Sequence, residues 1–88
     1  KTAVKWYKLA AEQGNADAQY NLGNAYERGQ GVIHDFVYAY MWWNIAASSG
    51  DKSATKNRDI VAKRMTPADI SAAQKLAEEC IHKEYKGC

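Results

Sequence analysis

The apolar residues fall into short stripes separated by glycine-containing breaks. Ala39, Trp42, Trp43, Ala46 and Ala47 stand at i, i+3, i+4, i+7 and i+8, the spacing of one face of an amphipathic helix. Ala3, Trp6, Tyr7, Ala10 and Ala11 repeat the stripe. Gly14 and Gly50 follow these runs and end each helix, since glycine accepts the left-handed conformation beyond a helix C-terminus. Asn15 and Asp51 come next and suit the N-cap of a following helix. The stretch Ala16–Arg28 places Ala18, Leu22, Ala25 and Tyr26 on one face. Its interior Gly23 costs about 1 kcal/mol relative to alanine, so it marks a close helix approach in which Trp42 or Trp43 occupies the space. Gly29-Gln30-Gly31 makes a turn, and Asp35 starts the next helix.

The stripes form a repeat. Residues 3–18 and 39–54 align without gaps at an offset of 36, with Ala3/Ala39, Trp6/Trp42, Ala10/Ala46, Ala11/Ala47, Gly14/Gly50 and Ala18/Ala54 identical. A period in the range of about 20–50 residues signals a solenoid of stacked supersecondary units. Beyond Ala54 the match weakens, with Arg58, Asp59 and Ala62 in place of Leu22, Gly23 and Tyr26. A helix is still expected there, with Ile60, Val61 and Met65 apolar. Thr66-Pro67-Ala68-Asp69 then reads as a capped helix start. Ile70, Ala73, Leu76, Ala77, Cys80 and Ile81 form the buried stripe of this last helix. Gln74, Lys75, Glu78, Glu79 and Lys83 face water, as on the terminal cap of a repeat array. The pattern predicts an all-α fold of five helices over roughly 2–13, 16–28, 35–49, 52–64 and 67–84.

These residues resemble the Sel-one-like repeat, a relative of the tetratricopeptide repeat. The resemblance runs through Ala18, Leu22, Gly23, Tyr26, Gly29, Gly31, Val32, Asp35, Ala39, Trp42, Ala46, Ala47 and Gly50, in that order and spacing. It divides the chain into the second helix of one repeat (1–14), a complete repeat (15–50), and a partial repeat with a C-terminal cap (51–88). It implies an α/α solenoid of antiparallel helix pairs, and adaptor or regulatory work through a protein or peptide partner. In the tetratricopeptide architecture the first helix of each pair lines the concave surface. By that analogy Asp17, Tyr20, Asn24 and Glu27, with Lys56, Ile60 and Lys63 from the next unit, face the partner, and Tyr20 offers an aromatic anchor. A second reading makes the segment a structural cap on a longer array whose upstream repeats bind. Cysteine-rich bacterial members link the two helices of a repeat by disulfides; these cysteines are not placed that way.

Composition narrows the classes. The chain has 88 residues, 47% hydrophobic and 25% charged, the balance of a folded domain. Its net charge of +2 is spread along the chain without a basic stripe, which argues against nucleic acid as the partner. No apolar run reaches the roughly 18 residues of a membrane span. Lys1 opens within a helical pattern, so further sequence is expected upstream. The open stripe of the first helix, Trp6 and Tyr7 included, is expected to meet missing repeats or to self-associate.

No reactive constellation accompanies the repeat, and neither catalysis nor a cofactor is expected. Ser53-Ala54-Thr55-Lys56 matches the S-x-x-K of penicillin-recognising enzymes, a distant hydrolase alternative, but the companion S-D-N and K-T-G sequences are absent. Cys80, His82 and Cys88 supply three candidate ligands where zinc takes about four, so no metal site is expected. Gly29-Gln30-Gly31 lacks the strand and the Lys-Ser or Lys-Thr of a phosphate loop.

Cys80 and Cys88 are either a bridge or two free thiols. A continuous helix holds them about 12 Å apart, beyond the roughly 7 Å limit of a disulfide. A bridge therefore requires the helix to stop near His82 or Lys83 and the chain to turn back, with Gly87 suited to the reversal. A bacterial periplasmic or secreted location is favoured over the cytoplasm.

Overall fold

The computed structural model describes residues 2–88; Lys1 lies outside them. Five helices, and no strand among the described residues, follow one another: α1 (Thr2–Glu12), α2 (Ala16–Arg28), α3 (Phe36–Ser48), α4 (Lys52–Ala62) and α5 (Pro67–His82). The fold is the all-α helical solenoid that the periodicity predicts, with α4 and α5 ending two residues early.

The caps explain why the boundaries fall where they do. The Asn15 side chain accepts from the Ala18 N–H at 2.9 Å, and one period later Asp51 accepts from Ala54 at 2.9 Å. Asp35 accepts from both Val37 (2.8 Å) and Tyr38 (3.1 Å). Thr66 accepts from Asp69 at 3.1 Å, with Pro67 in the first turn. Gly14 and Gly50 hold φ of 88° and 95°, so the same turn is cut twice.

α3 is the axle of the molecule: α2, α4 and α5 all pack on it, and α1 packs on α2. It is buried on almost every side, through Ala39, Tyr40, Met41, Trp42, Trp43, Ile45 and Ala46. The single stripe read from the sequence is therefore too narrow. Tyr40, which lies off that stripe, is buried because α5 covers it, and its hydroxyl accepts from Gln74 Nε2 at 3.3 Å.

The two adjacent indoles organise two packing clusters. Trp42 sits with Ala11, Ala18, Leu22, Ile45, Ala77 and Cys80, joining α1, α2, α3 and α5. Trp43 sits with Ala39, Ala46, Ala54, Val61 and Ala73, joining α3 to α4 and α5. Trp43 is also the residue that meets Gly23: a Cβ on Gly23 would stand 2.3 Å from its Nε1. That Nε1–H donates to the Tyr20 carbonyl at 3.1 Å, which pins the ring across the helix pair.

The chain end is tied back. After His82, Glu84 (φ 54°) and Tyr85 (φ 68°) both turn left-handed before Gly87 (φ 73°), so the reversal starts earlier than Gly87. It brings the Cys80 and Cys88 Cα atoms to 5.8 Å and joins them in a disulfide. The Tyr85 ring lies against Gly14, and Lys86 Nζ donates to the Glu12 carbonyl at 3.2 Å, so the tail clasps the α1–α2 turn. Ile81, read as part of the buried stripe, is instead 41% exposed. It sits on the rim of a surface depression beside Glu12 and Tyr85, past the end of the core stripe. A thiol assay on the unfolded, non-reduced chain should find no reactive sulfhydryl, and two after reduction. Cys88→Ser should lower stability by about 2–3 kcal/mol, the loop-closure entropy of so short a ring; unchanged urea midpoints would show that the bridge does not constrain the chain.

Candidate functional site

α2 and α4 flank the indole face of α3 and leave an open groove between them of about 180 Å³. Phe36, Trp43 and Val61 supply apolar lining. Asn24, Glu27 and Arg28 come from the α2 side, and Asn57, Ile60 and Arg64 from the α4 side. Asn57 holds the two sides in register: its Nδ2 donates to the Tyr20 hydroxyl and to Asn24 Oδ1, each at 3.3 Å. Ile60 is 52% exposed, so the groove carries an aliphatic side chain at its mouth. Glu27 and Arg28 lie 3.7 Å apart at the surface. Tyr26, on the opposite flank of α2, has its pKa raised by burial first and then by Tyr38 and Asp35, so its phenol is neutral near pH 7.

Of the residues read from the sequence, the structure brings Asn24, Glu27 and Ile60 into this groove. Tyr20 is half-buried, and its hydroxyl is taken up by Asn57 rather than offered outward. Lys56 on α4 and Lys63, which caps the end of that helix, are exposed about one turn to either side of Ile60. Asp17 is exposed in the first turn of α2, outside the groove lining.

Arg28, Asn57 and Arg64 were not singled out from the sequence, although the period itself carries the signal. At the offset of 36, Asn21 matches Asn57 and Arg28 matches Arg64. The structure repeats the groove accordingly. A second depression, between α1 and α2, is lined by Tyr7, Asn21, Asn24, Ala25 and Arg28. These stand one period before Trp43, Asn57, Ile60, Val61 and Arg64 of the first groove. Arg58, where the earlier unit has Leu22, donates to Asn44 Oδ1 at 2.9 Å and pairs with Asp59 at 3.2 Å, so this departure from the repeat becomes a polar tie to α3.

The reactive alternatives find little support in the geometry. Ser53 and Lys56 are both exposed in the first turns of α4, with no hydrogen bond between them. Both cysteine sulfurs are consumed by the bridge, which removes two of the three candidate zinc ligands. Among the described residues, no helix is long and apolar enough to cross a membrane.

Comparison with known proteins agrees with the helical layout. The Sel1 repeat model matches residues 1–15 and 16–51. Over 52 residues the chain is 40% identical to the chitin synthase regulator SKT5 of Saccharomyces cerevisiae, covering 59% of this chain and 8% of that protein. The crystal structure of c5321, a protective antigen of uropathogenic Escherichia coli with an SLR fold, superposes with a TM-score of 0.85 at 32% identity, over 93% of this chain and 19% of the antigen. The chain thus spans less than a fifth of either relative.

Proposed function

The chain belongs to the Sel1 repeat family, and from that premise we propose that it is a non-catalytic interaction scaffold whose protein partner docks in the α2–α4 groove. Repeats of this family mediate protein–protein contacts. The observation that carries the choice of surface is Ile60, a half-exposed aliphatic side chain set among polar groups at the mouth of a groove. An apolar anchor point ringed by polar side chains is the anatomy of an interface. The Asn57 bonds to Tyr20 and Asn24 keep that surface pre-formed, which limits the entropy lost on docking. A relative that regulates chitin synthase is compatible with regulation by contact, without transferring its target.

Ile60→Asp tests the reading. The side chain is exposed, so the helix should survive the change, while an apolar partner residue would meet a carboxylate. Capture of partners by the complete protein should fall about tenfold or more, the scale of a hot-spot loss. Capture indifferent to this variant rejects the groove. Capture that also survives deletion of residues 52–88 favours the second reading, a structural cap, for which the Arg58–Asn44 tie and the polar outer face of α5 are the supporting observations. An oxidising compartment, periplasmic or extracellular, goes with this proposal; its support is the Cys80–Cys88 bridge.

A further inference from the structure

The charge of the chain is concentrated where the groove lies. Residues 52–64 carry Lys52, Lys56, Arg58, Lys63 and Arg64 against Asp59 alone, a net +4 within a chain whose total is +2. Every other part of the molecule taken together is therefore slightly acidic. Arg58 is engaged by Asp59 and Asn44. The remaining cations of the groove region surround the apolar anchor. Lys56 and Lys63 stand one turn either side of Ile60, and Arg64 lines the groove on the same side. Arg28 lines it from the opposite wall, with its side chain 61% exposed. Two guanidiniums thus face one groove across an apolar lining of Phe36, Trp43 and Val61. Glu27 offsets part of that charge through its 3.7 Å contact with Arg28.

We infer that the groove recognises an acidic protein segment, in which one or more Asp or Glu side chains flank an aliphatic or aromatic anchor. The inference rests on the docking surface proposed above and names its partner's chemistry. The anchor packs against Ile60 and the apolar lining, where burial supplies affinity. The carboxylates pair with Arg64 and Arg28, whose planar forks bind such groups in a bidentate manner. Lys56 and Lys63 contribute mainly to encounter rate and orientation, as rim charges do. The arrangement favours a protein over a nucleic acid: the positive patch is confined to the walls of one groove, its centre is apolar, and the rest of the chain carries a net negative charge that disfavours a phosphate backbone. The period strengthens the assignment. Arg28 lines the equivalent groove between α1 and α2 at the repeat position that Arg64 holds in this one, so a guanidinium recurs there from one step to the next.

The experiment is selection of random dodecapeptides displayed on phage against the full chain, followed by fluorescence anisotropy with the selected peptides. Expected are sequences with Asp or Glu within a few residues of Leu, Ile or Phe. Their affinity should fall about tenfold with Arg64→Glu, the loss expected when an attractive charge pair becomes repulsive, and should weaken as salt rises. Both Ile60 and Arg64 are exposed, and circular dichroism verifies that the variants remain helical. Selected peptides that are lost with Ile60→Asp but are neutral or basic, or that ignore Arg64→Glu, overturn the acidic preference and leave the groove standing. Failure to select any peptide, or peptides indifferent to Ile60→Asp, sinks groove and preference together. A labelled single-stranded oligothymidylate that binds more tightly than the best peptide, and is released by Arg64→Glu, makes α4 a phosphate contact and overturns the inference.

Discussion

Gly23→Ala is expected to destabilise the chain by about 3 kcal/mol, although alanine is the better helix former by about 1 kcal/mol. The new methyl would stand 2.3 Å from Trp43 Nε1, 2.4 Å from Cδ1 and 2.8 Å from Cε2. Those atoms belong to a rigid ring that is 2% exposed and packed with Ala39, Ala46, Ala54, Val61 and Ala73, so it yields only by disturbing that cluster. Moving it also breaks the Nε1–H bond to the Tyr20 carbonyl, the only bond drawn by that buried donor among the described residues. Overpacking of a tight core costs about 1–3 kcal/mol, and orphaning a buried donor costs a similar amount. Their sum exceeds the propensity gain. Urea unfolding followed by circular dichroism measures it. A double variant, Gly23→Ala with Trp43→Phe, should recover part of the loss, since a smaller ring without the N–H relieves both effects and couples the two sites. A Gly23→Ala chain as stable as the parent would remove close α2–α3 approach as the basis of this fold.

The glycine was legible in the sequence because it contradicts its surroundings: an interior helix position with the poorest ordinary helix former needs a packing reason. The five helices were legible for a related reason, since a capping side chain opens each of α2 to α5 and a glycine follows α1, α2 and α3; α4 and α5, which lack that glycine, are the two that end two residues early. What a one-helix pattern does not contain is which other helix covers it. Tyr40 and Met41 look like the outer face of an amphipathic α3 until α5 is laid over them. Gln19 is the converse case. It reads as a polar surface residue, yet it is fully buried, with its Nε2 donating to the Ala11 carbonyl at 3.1 Å across the α1–α2 turn. Ile81 fails in the other direction, being apolar in sequence and left on a rim. The candidate site was half legible. The analogy that put Asn24, Glu27 and Ile60 on the concave side rests on helix order alone, and helix order sets which face looks outward. The pairing of Arg28 with Arg64 across one groove requires knowing how far α2 and α4 stand apart. The identity of these two residues at the repeat offset was nonetheless present in the chain.

Trp42→Ala should cost about 3–5 kcal/mol, the range for removing a large aromatic from a packed core. That is a large part of the 5–15 kcal/mol typical of a whole domain. Its indole is 1% exposed, and its cluster reaches from α1 to α5, so the cavity left behind would touch four helices at once. The repeat supplies its own control. Trp6 occupies the same position one period earlier, with the same alanines in its stripe and Tyr7 in place of Trp43, yet it is 66% exposed, with Leu9 beside it at 51%. Chemistry and helical register are thus held constant while burial changes. Trp6→Ala should cost less than about 1 kcal/mol, as exposed substitutions do. It should instead alter association. An indole and a leucine side by side on one open face form an apolar patch, and such patches associate. Light scattering should show the parent chain dimerising as its concentration rises, and the Trp6→Ala chain remaining a monomer. Comparable losses of stability from the two tryptophan variants would mean that α1 packs far more tightly than its exposure indicates. A parent that stays monomeric at high concentration would rule out self-association through this helix while leaving the Trp42 result intact, because that result depends only on what covers the second indole.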